Sequence, residues 1–273
     1  MSCFCVGSEL HSNPDALNVV VHSREDRVGL KLMNLTHMIP ALQAGQMVRE
    51  VPVFGVLEGV FFQGVVDELC HSESGTLVLS ELKTRSQNSL PHPAQYKGHS
   101  LQVRVYKLLF DAMVQGSMER HNLLRYLNLR PHQAFGSPLQ SYAQKLGILA
   151  VTFGELVDHL LSILNFSNLR AVDKLRLEYI HQSSGSLIGT REVEFDEAQL
   201  RAELRDYLPF WLGEREPQGV DLENIDESWK CNICPYEESC DWKRRRLQQI
   251  MFDGIKKVKF GCSKVEGPAL ETN

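Results

Sequence analysis

The run from Val60 to Lys83 constrains this chain more than any other part of it. Valine-, phenylalanine- and leucine-rich stretches flank the polar break His71-Ser72-Glu73-Ser74-Gly75. Two β-prone runs around a short, glycine-bearing interval predict a hairpin, with Val60 to Leu69 as one arm and Thr76 to Lys83 as the other. Residues two apart on a strand share a face, so Glu81 and Lys83 project together, about 7 Å apart at the backbone, while Leu82 turns to the core. Pairing of the arms brings Asp67 beside Glu81. One place on the sheet thus collects two carboxylates and an ammonium group.

The flanking sequence supplies the rest of a sheet-and-helix fold. Val19 to Val21 reads as a short strand, and Ser23 as the cap of a helix with apolar positions Val28, Leu32, Leu35 and Ile39, ended by Gly45. Val48 to Leu69 reads as strands broken at Pro52, Gly55 and Gly59. A long helix is predicted over Ala94 to Val114, and another over Glu155 to Leu164. Two further strands lie around Leu175 to Tyr179 and Val193 to Phe195, and a helix follows Asp196 with Leu200, Leu204 and Leu208 on one face. The expected class is α/β, a mixed central sheet flanked by helices. A single domain over 1–273 is expected, holding a cysteine segment at 226–246 and a basic tail at 247–273.

Composition excludes some function classes. No run approaches the roughly 20 apolar residues of a membrane helix, and the N-terminus lacks a basic then apolar leader, so a soluble intracellular protein is expected. The formal charge is −5, so any attraction to phosphate must come from local patches. Lys243-Arg244-Arg245-Arg246 and Lys256, Lys257 and Lys259 are such patches, and by themselves solvated runs of this kind are common. Three of the seven cysteines, Cys231, Cys234 and Cys240, follow a C-x₂-C-x₅-C spacing that suggests metal or cluster ligation before disulfides.

Hydrolysis of a phosphodiester calls for a hard cation such as Mg²⁺ or Mn²⁺, which takes one or two carboxylates with water and substrate oxygens. Asp67 and Glu81 suit that role, and Lys83 can stabilise charge building on phosphorus. The bland alternative is an ion pair on a solvated strand edge. Two further elements favour the chemistry. Gln102 and Tyr106 stand at i and i+4 on the predicted long helix, one placed to bond the catalytic shell or a phosphate, the other to bond phosphate or stack on a base. In Gly7-Ser8-Glu9-Leu10-His11 the glycine permits a close helix approach and the histidine can reach a metal.

The ordered set G-x-x-x-H, GVVDEL, ELKT and Q-x-x-x-Y resembles the RecB-like branch of the PD-(D/E)xK nuclease superfamily. The wording REVPVFG, YKLLFDAMVQG, EYIHQ, REPQGVD and WKCNICPYEESC is similar to vertebrate members of the exonuclease V family over most of the chain. The resemblance implies a restriction-endonuclease-like fold and a Mg²⁺-dependent exonuclease that attacks single-stranded DNA from free ends. It implies a monomer with a nuclear role in DNA repair, the cytoplasm being the alternative, and a single-strand-binding protein as a partner. His11, Asp67, Glu81 and the carbonyl of Leu82 would ligate the metal, Lys83 would be the catalytic lysine, and Gln102 and Tyr106 the helix motif. Arg85, Arg104, Lys243, Arg244 and Arg245 are the expected DNA-binding cations.

The same resemblance implies a [4Fe-4S] cluster on Cys231, Cys234 and Cys240, with a fourth cysteine upstream of the G-x-x-x-H helix. Only Cys3 and Cys5 precede Gly7. Three readings stand: Cys3 or Cys5 substitutes, the cluster is labile, or the triad binds zinc with another donor. An N-terminally shortened form is expected because the motif helix begins almost at the first methionine, and the missing upstream cysteine leaves the alternative of a catalytically impaired DNA- or partner-binding protein.

Overall fold

The computed structural model describes residues 4–5, 19–222 and 225–261. Cys3, Gly7, His11 and Cys262 lie outside the described residues, and so does the side chain of Cys5. Two compact units are present, Met1–Pro91 with Gln95–Glu214, and His92–Ala94 with Arg215–Asn273. The order of elements is β1 (Phe4–Cys5), α1 (Arg24–Gln43), β2 (Val48–Leu57), β3 (Val60–His71), β4 (Leu77–Arg85), α2 (Pro93–Val114), α3 (Arg120–Leu127), α4 (Ser137–Lys145), α5 (Phe153–Phe166), β5 (Lys174–His181), β6 (Leu187–Val193), α6 (Glu197–Trp211), α7 (Ile225–Asn232) and α8 (Asp241–Gly261).

The larger unit is built on a mixed sheet ordered β2-β3-β4-β5-β6, antiparallel except for the parallel pair β4 and β5. The two residues of β1 add to β3 in parallel, at Phe62 and Gln63. Helices flank the sheet, so the expected mixed α/β architecture holds. The β2–β3 connection is a two-residue turn at Glu58 and Gly59, both at positive φ, the geometry that matches the twist of a hairpin. Pro52 and Gly55 were expected to interrupt this strand and do not. Among the described residues β2 pairs only with β3, and an edge strand tolerates the amide that proline lacks. Gly55 is needed for packing: a Cβ there would lie 2.9 Å from Leu109 Cδ2 of α2.

Ser23 caps α1 as expected, its hydroxyl accepting from the Asp26 amide at 2.9 Å. Val19 to Val21 is not a strand. The chain there leads straight into the cap, and the His22 amide goes to Asp26 Oδ2 instead of to a neighbouring strand. The second late strand runs Leu187–Val193, earlier than the predicted Val193 to Phe195, because an edge with a single buried residue, Val193, carries no apolar alternation. The helices α3 and α4 had no sequence expectation; α3 begins without a side-chain cap. The core runs from Leu32, Leu35 and Ile39 of α1 through Val53, Val66 and Leu79 of the sheet to Leu200 and Leu204 of α6.

Among the described residues no helix is long and apolar enough to cross a membrane. In the smaller unit α8 continues to Gly261, so the first half of the expected basic tail is helical backbone.

Glu25, in the first turn of α1, ties that helix to the chain beyond α3. Its carboxylate accepts from the Arg130 amide at 3.1 Å and from Arg130 Nε at 3.0 Å. These bonds hold its pKa down to about 2 against an ordinary 4.5. A depressed carboxylate pKa stabilises the fold above its unfolded value and loses that contribution as pH falls through the folded one. Glu25→Gln should therefore be less stable than the parent in urea at pH 6, by about 1–3 kcal/mol. The gap should close towards pH 2; a gap that stays constant over that window would exclude the linkage.

Candidate active site

The ladder between β3 and β4 is short. It runs from His71 and Leu77 to Glu68 and Ser80 and then stops. The next residues along the two strands are Asp67 and Glu81. From here β4 has no ladder to β3, while its parallel pairing with β5, which begins at Val78 and Lys174, continues to Arg85 and His181. At the fork, the carboxylate of Asp67 takes over from the ladder: Oδ2 accepts the Leu82 amide at 2.7 Å. The expected meeting of Asp67 and Glu81 is thus produced by strands that part, with a side chain bridging the gap.

The helix α2 closes the site. Lys83 Nζ donates to Glu81 Oε1 and to Gln102 Oε1, both at 2.8 Å. Gln102 Nε2 donates to the same Glu81 oxygen at 2.8 Å and to the Tyr106 hydroxyl at 3.0 Å. Glu81, Lys83, Gln102 and Tyr106 therefore form one hydrogen-bonded group, and Asp67, held by the Leu82 amide, acts on Glu81 through its charge. Tyr106 differs from expectation in one respect: it is 1% exposed. A ring so enclosed cannot stack on a base, and its hydroxyl instead positions Gln102. Gly64 makes room for it, since a Cβ at that position would fall 2.4 Å from Tyr106 Cε1.

The electrostatics are those of acids short of positive charge. Burial raises the Glu81 pKa to about 7, with Asp67 adding to the rise and Lys83 opposing it. Burial also raises Asp67, against the Leu82 amide and Lys83. Glu81 Oε2 is buried and meets no hydrogen-bond donor among the described residues. Asp67 and Glu81 are the described residues that could hold a divalent cation here. Among the described residues no group of three or more His, Cys, Asp or Glu side chains is placed to hold an ion; His11, the remaining expected side-chain ligand, lies outside them.

Of the expected DNA-binding cations, Arg85 faces a polar cavity of about 360 Å³ with Thr84, Ser86 and Gln95. It is braced there by Ser89 O at 2.7 Å and Gln95 Oε1 at 3.2 Å. Arg104 is a correction: it is buried and paired with Glu203 of α6 at 2.8 Å, so it fastens helix to helix and presents no charge to a ligand. Lys243 is joined to Glu237, and Arg244 to Asp241 at 3.1 Å, which leaves Arg245 as the more open cation of that run.

Two features escaped the sequence reading. His99 lies one turn before Gln102 and bonds the Tyr179 hydroxyl through Nδ1 at 3.2 Å. Burial, with Lys83 and Arg85 nearby, lowers its pKa to about 4, so it is neutral near pH 7. The stripe Gln95, His99, Gln102, Tyr106 at helical spacing was the available signal. Glu50, across β2 from Asp67, adopts a positive φ of 54°, a strained conformation of the kind that collects at functional sites. Nothing in the sequence pointed to it.

A carboxylate pair facing a held lysine and glutamine, on a fork in a mixed sheet, is equipped for hydrolytic chemistry on anionic esters. The model of the family described as exonuclease V, a 5′ deoxyribonuclease, matches residues 7–76, 71–156 and 140–243. The chain belongs to the exonuclease V family. It is 50% identical over 247 residues to the exonuclease V of Danio rerio, an alignment covering 89% of this chain and 62% of that protein's length. Among solved structures, the crystal structure of SSO0001 overlaps 78% of this chain and 70% of its own at 15% identity, with a TM-score of 0.34, too loose a likeness to carry an argument.

Substituting Gly64 tests the coupling of sheet and helix. Gly64→Ala should push the Tyr106 ring and destabilise the protein by about 1–3 kcal/mol in chemical denaturation. Combining it with Tyr106→Leu should cost less than the sum of the two single changes; strict additivity would show that the two positions do not press on each other.

Proposed function

We propose that this chain is a divalent-metal-dependent DNA exonuclease that degrades single strands from free ends, on a restriction-endonuclease-like fold, in nuclear DNA repair and genome maintenance. The observation that carries the reading is Glu81 Oε2, buried and without a donor among the described residues, in a pair of acids whose pKa values burial raises. Burying carboxylates without compensation is costly, and Mg²⁺ or Mn²⁺ would supply it. Family membership supports DNA as the substrate, and the family description adds a preference for 5′ ends.

In this reading Asp67 and Glu81, with the Leu82 carbonyl and His11, would hold the ion. Bound there, it supplies Lewis-acid charge against the phosphate and lowers the pKa of water. Lys83, fixed between Glu81 and Gln102, places its ammonium against the charge that develops on the phosphate oxygens. Gln102 keeps Glu81 and Lys83 in register, and Tyr106 holds Gln102 in turn. Tyr106 stays protonated, because burial pushes its pKa up to about 12. Arg85, facing its polar cavity two residues beyond Lys83, is suited to a neighbouring phosphate of the strand.

The thiols of Cys231, Cys234 and Cys240 are half-buried along one stretch from the end of α7 to the start of α8, and the Lys243 amide points at Cys240 Sγ at 3.4 Å. Three thiols and a backbone donor suit an iron-sulfur cluster, which would brace this segment. Protein purified without oxygen should be brown and carry iron, and Cys234→Ser should lose both; colourless parent protein that holds zinc would overturn the cluster.

Activity should be tested on end-labelled linear and on circular single-stranded DNA with Mg²⁺. Linear strands should be shortened and circles survive. Asp67→Asn and Lys83→Met, both folded by circular dichroism, should lose at least about 100-fold in rate. Equal digestion of circles, or variants as active as the parent, would refute the proposal.

A further inference from the structure

The smaller unit contains a second feature suited to anions, in which Arg245 is joined by residues that the nuclease reading does not use. A cavity of about 340 Å³ lies between the segment 215–218 and α8. From α8 it is lined by Trp242, Arg245, Arg246 and Gln249, which stand at i, i+3, i+4 and i+7 and so form one face of the helix. Arg215 and Gln218 line the facing wall. The three guanidinium groups outweigh the single lining carboxylate, that of Glu216, in a chain whose formal charge is −5.

The indole is held in place. Trp242 Nε1 donates to Val220 O at 3.3 Å, and the ring packs on the backbone of Gly219, where a Cβ would fall 2.1 Å from Trp242 Cδ1. The arginines are unequally engaged. Arg246 Nη2 lies 3.8 Å from Asp221 Oδ1, whereas Arg245 has no carboxylate partner among the described residues and bonds only the Asp241 carbonyl, at 3.3 Å.

We propose that this cavity binds a nucleoside 5′-phosphate, as a free mononucleotide or as the phosphorylated end of a DNA strand. Guanidinium forks match phosphate oxygens in pairs, and an anchored indole offers a flat face to a base. The glutamine amides of Gln218 and Gln249 can bond sugar or base edges on either side. The volume lies within the range of small-ligand pockets. Neither phosphate alone nor a bare nucleoside would use both the charge and the ring.

The test is calorimetric titration of the full chain with deoxythymidine 5′-monophosphate, inorganic phosphate and thymidine, in EDTA. Without divalent metal, the result is separate from that of the nuclease assay, and Asp67→Asn should bind as the parent does. The monophosphate should bind at sub-millimolar concentration, tighter than either fragment. Arg245→Gln with Arg246→Gln should weaken it at least tenfold. Trp242→Leu should weaken it severalfold while leaving inorganic phosphate unchanged; because that change disturbs the packing on Gly219, the exposed Arg245→Gln alone is the second probe and should weaken binding about threefold.

A 5′-phosphorylated oligothymidylate that displaces the monophosphate identifies the strand end as ligand, and failure to displace it identifies the free nucleotide. The proposal is overturned by no binding at 1 mM monophosphate, by thymidine binding equally well, by arginine variants with parental affinity, or by a 5′-hydroxyl oligonucleotide that displaces the monophosphate as strongly as the phosphorylated one does.

Discussion

The site depends on a fork in the sheet. Antiparallel pairing of β3 and β4 ends at Glu68 and Ser80, and one residue further Asp67 accepts the Leu82 amide with its side chain. That bond satisfies a backbone group which the parting strands would otherwise leave unmatched. Beyond it Glu81 and Lys83 stand where Gln102 of α2 reaches them. If the ladder continued, Asp67 would be one more cross-strand neighbour and the acids would have no pocket to share.

The second constraint is compensation of charge. Lys83 is one cation for two acids, Glu81 buried and Asp67 half-buried, and it divides its bonds between Glu81 and Gln102. A structural ion pair would leave neither carboxylate with a buried, unsatisfied oxygen, yet Glu81 Oε2 meets no donor among the described residues. Such deficits are tolerated where a ligand or ion completes the group, and strain is stored nearby in the left-handed backbone of Glu50. Gly64 and Tyr106 belong to the same design, because the close approach of α2 to β3 is what keeps Gln102 over the acids.

Much of this was legible in the sequence because it rests on two periods. A repeat of two places Glu81 and Lys83 on one face, and a repeat of 3.6 places Gln102 and Tyr106 on another. Turn chemistry gave the hairpin for the same reason. Burial was not legible. Arg104 belongs to the motif helix by spacing but is turned to Glu203, and Tyr106 is enclosed where a solvent-facing ring was expected. Lys243 and Arg244 look like open cations in a basic run, and local carboxylates engage them. The short helices α3 and α4 and the exposed edge strand β6 lacked an apolar pattern to announce them. The cavity beside Trp242 depends on a segment some 25 residues earlier in the chain, a proximity that no local pattern encodes.

The central proposal is that Glu81 and Asp67 hold a divalent ion. Its most direct test is Mn²⁺ binding to the full chain, followed by electron paramagnetic resonance of the free ion. Mn²⁺ should bind the parent, and Glu81→Gln should weaken that binding at least about tenfold without loss of fold. Unchanged Mn²⁺ affinity in folded Glu81→Gln protein would contradict the account.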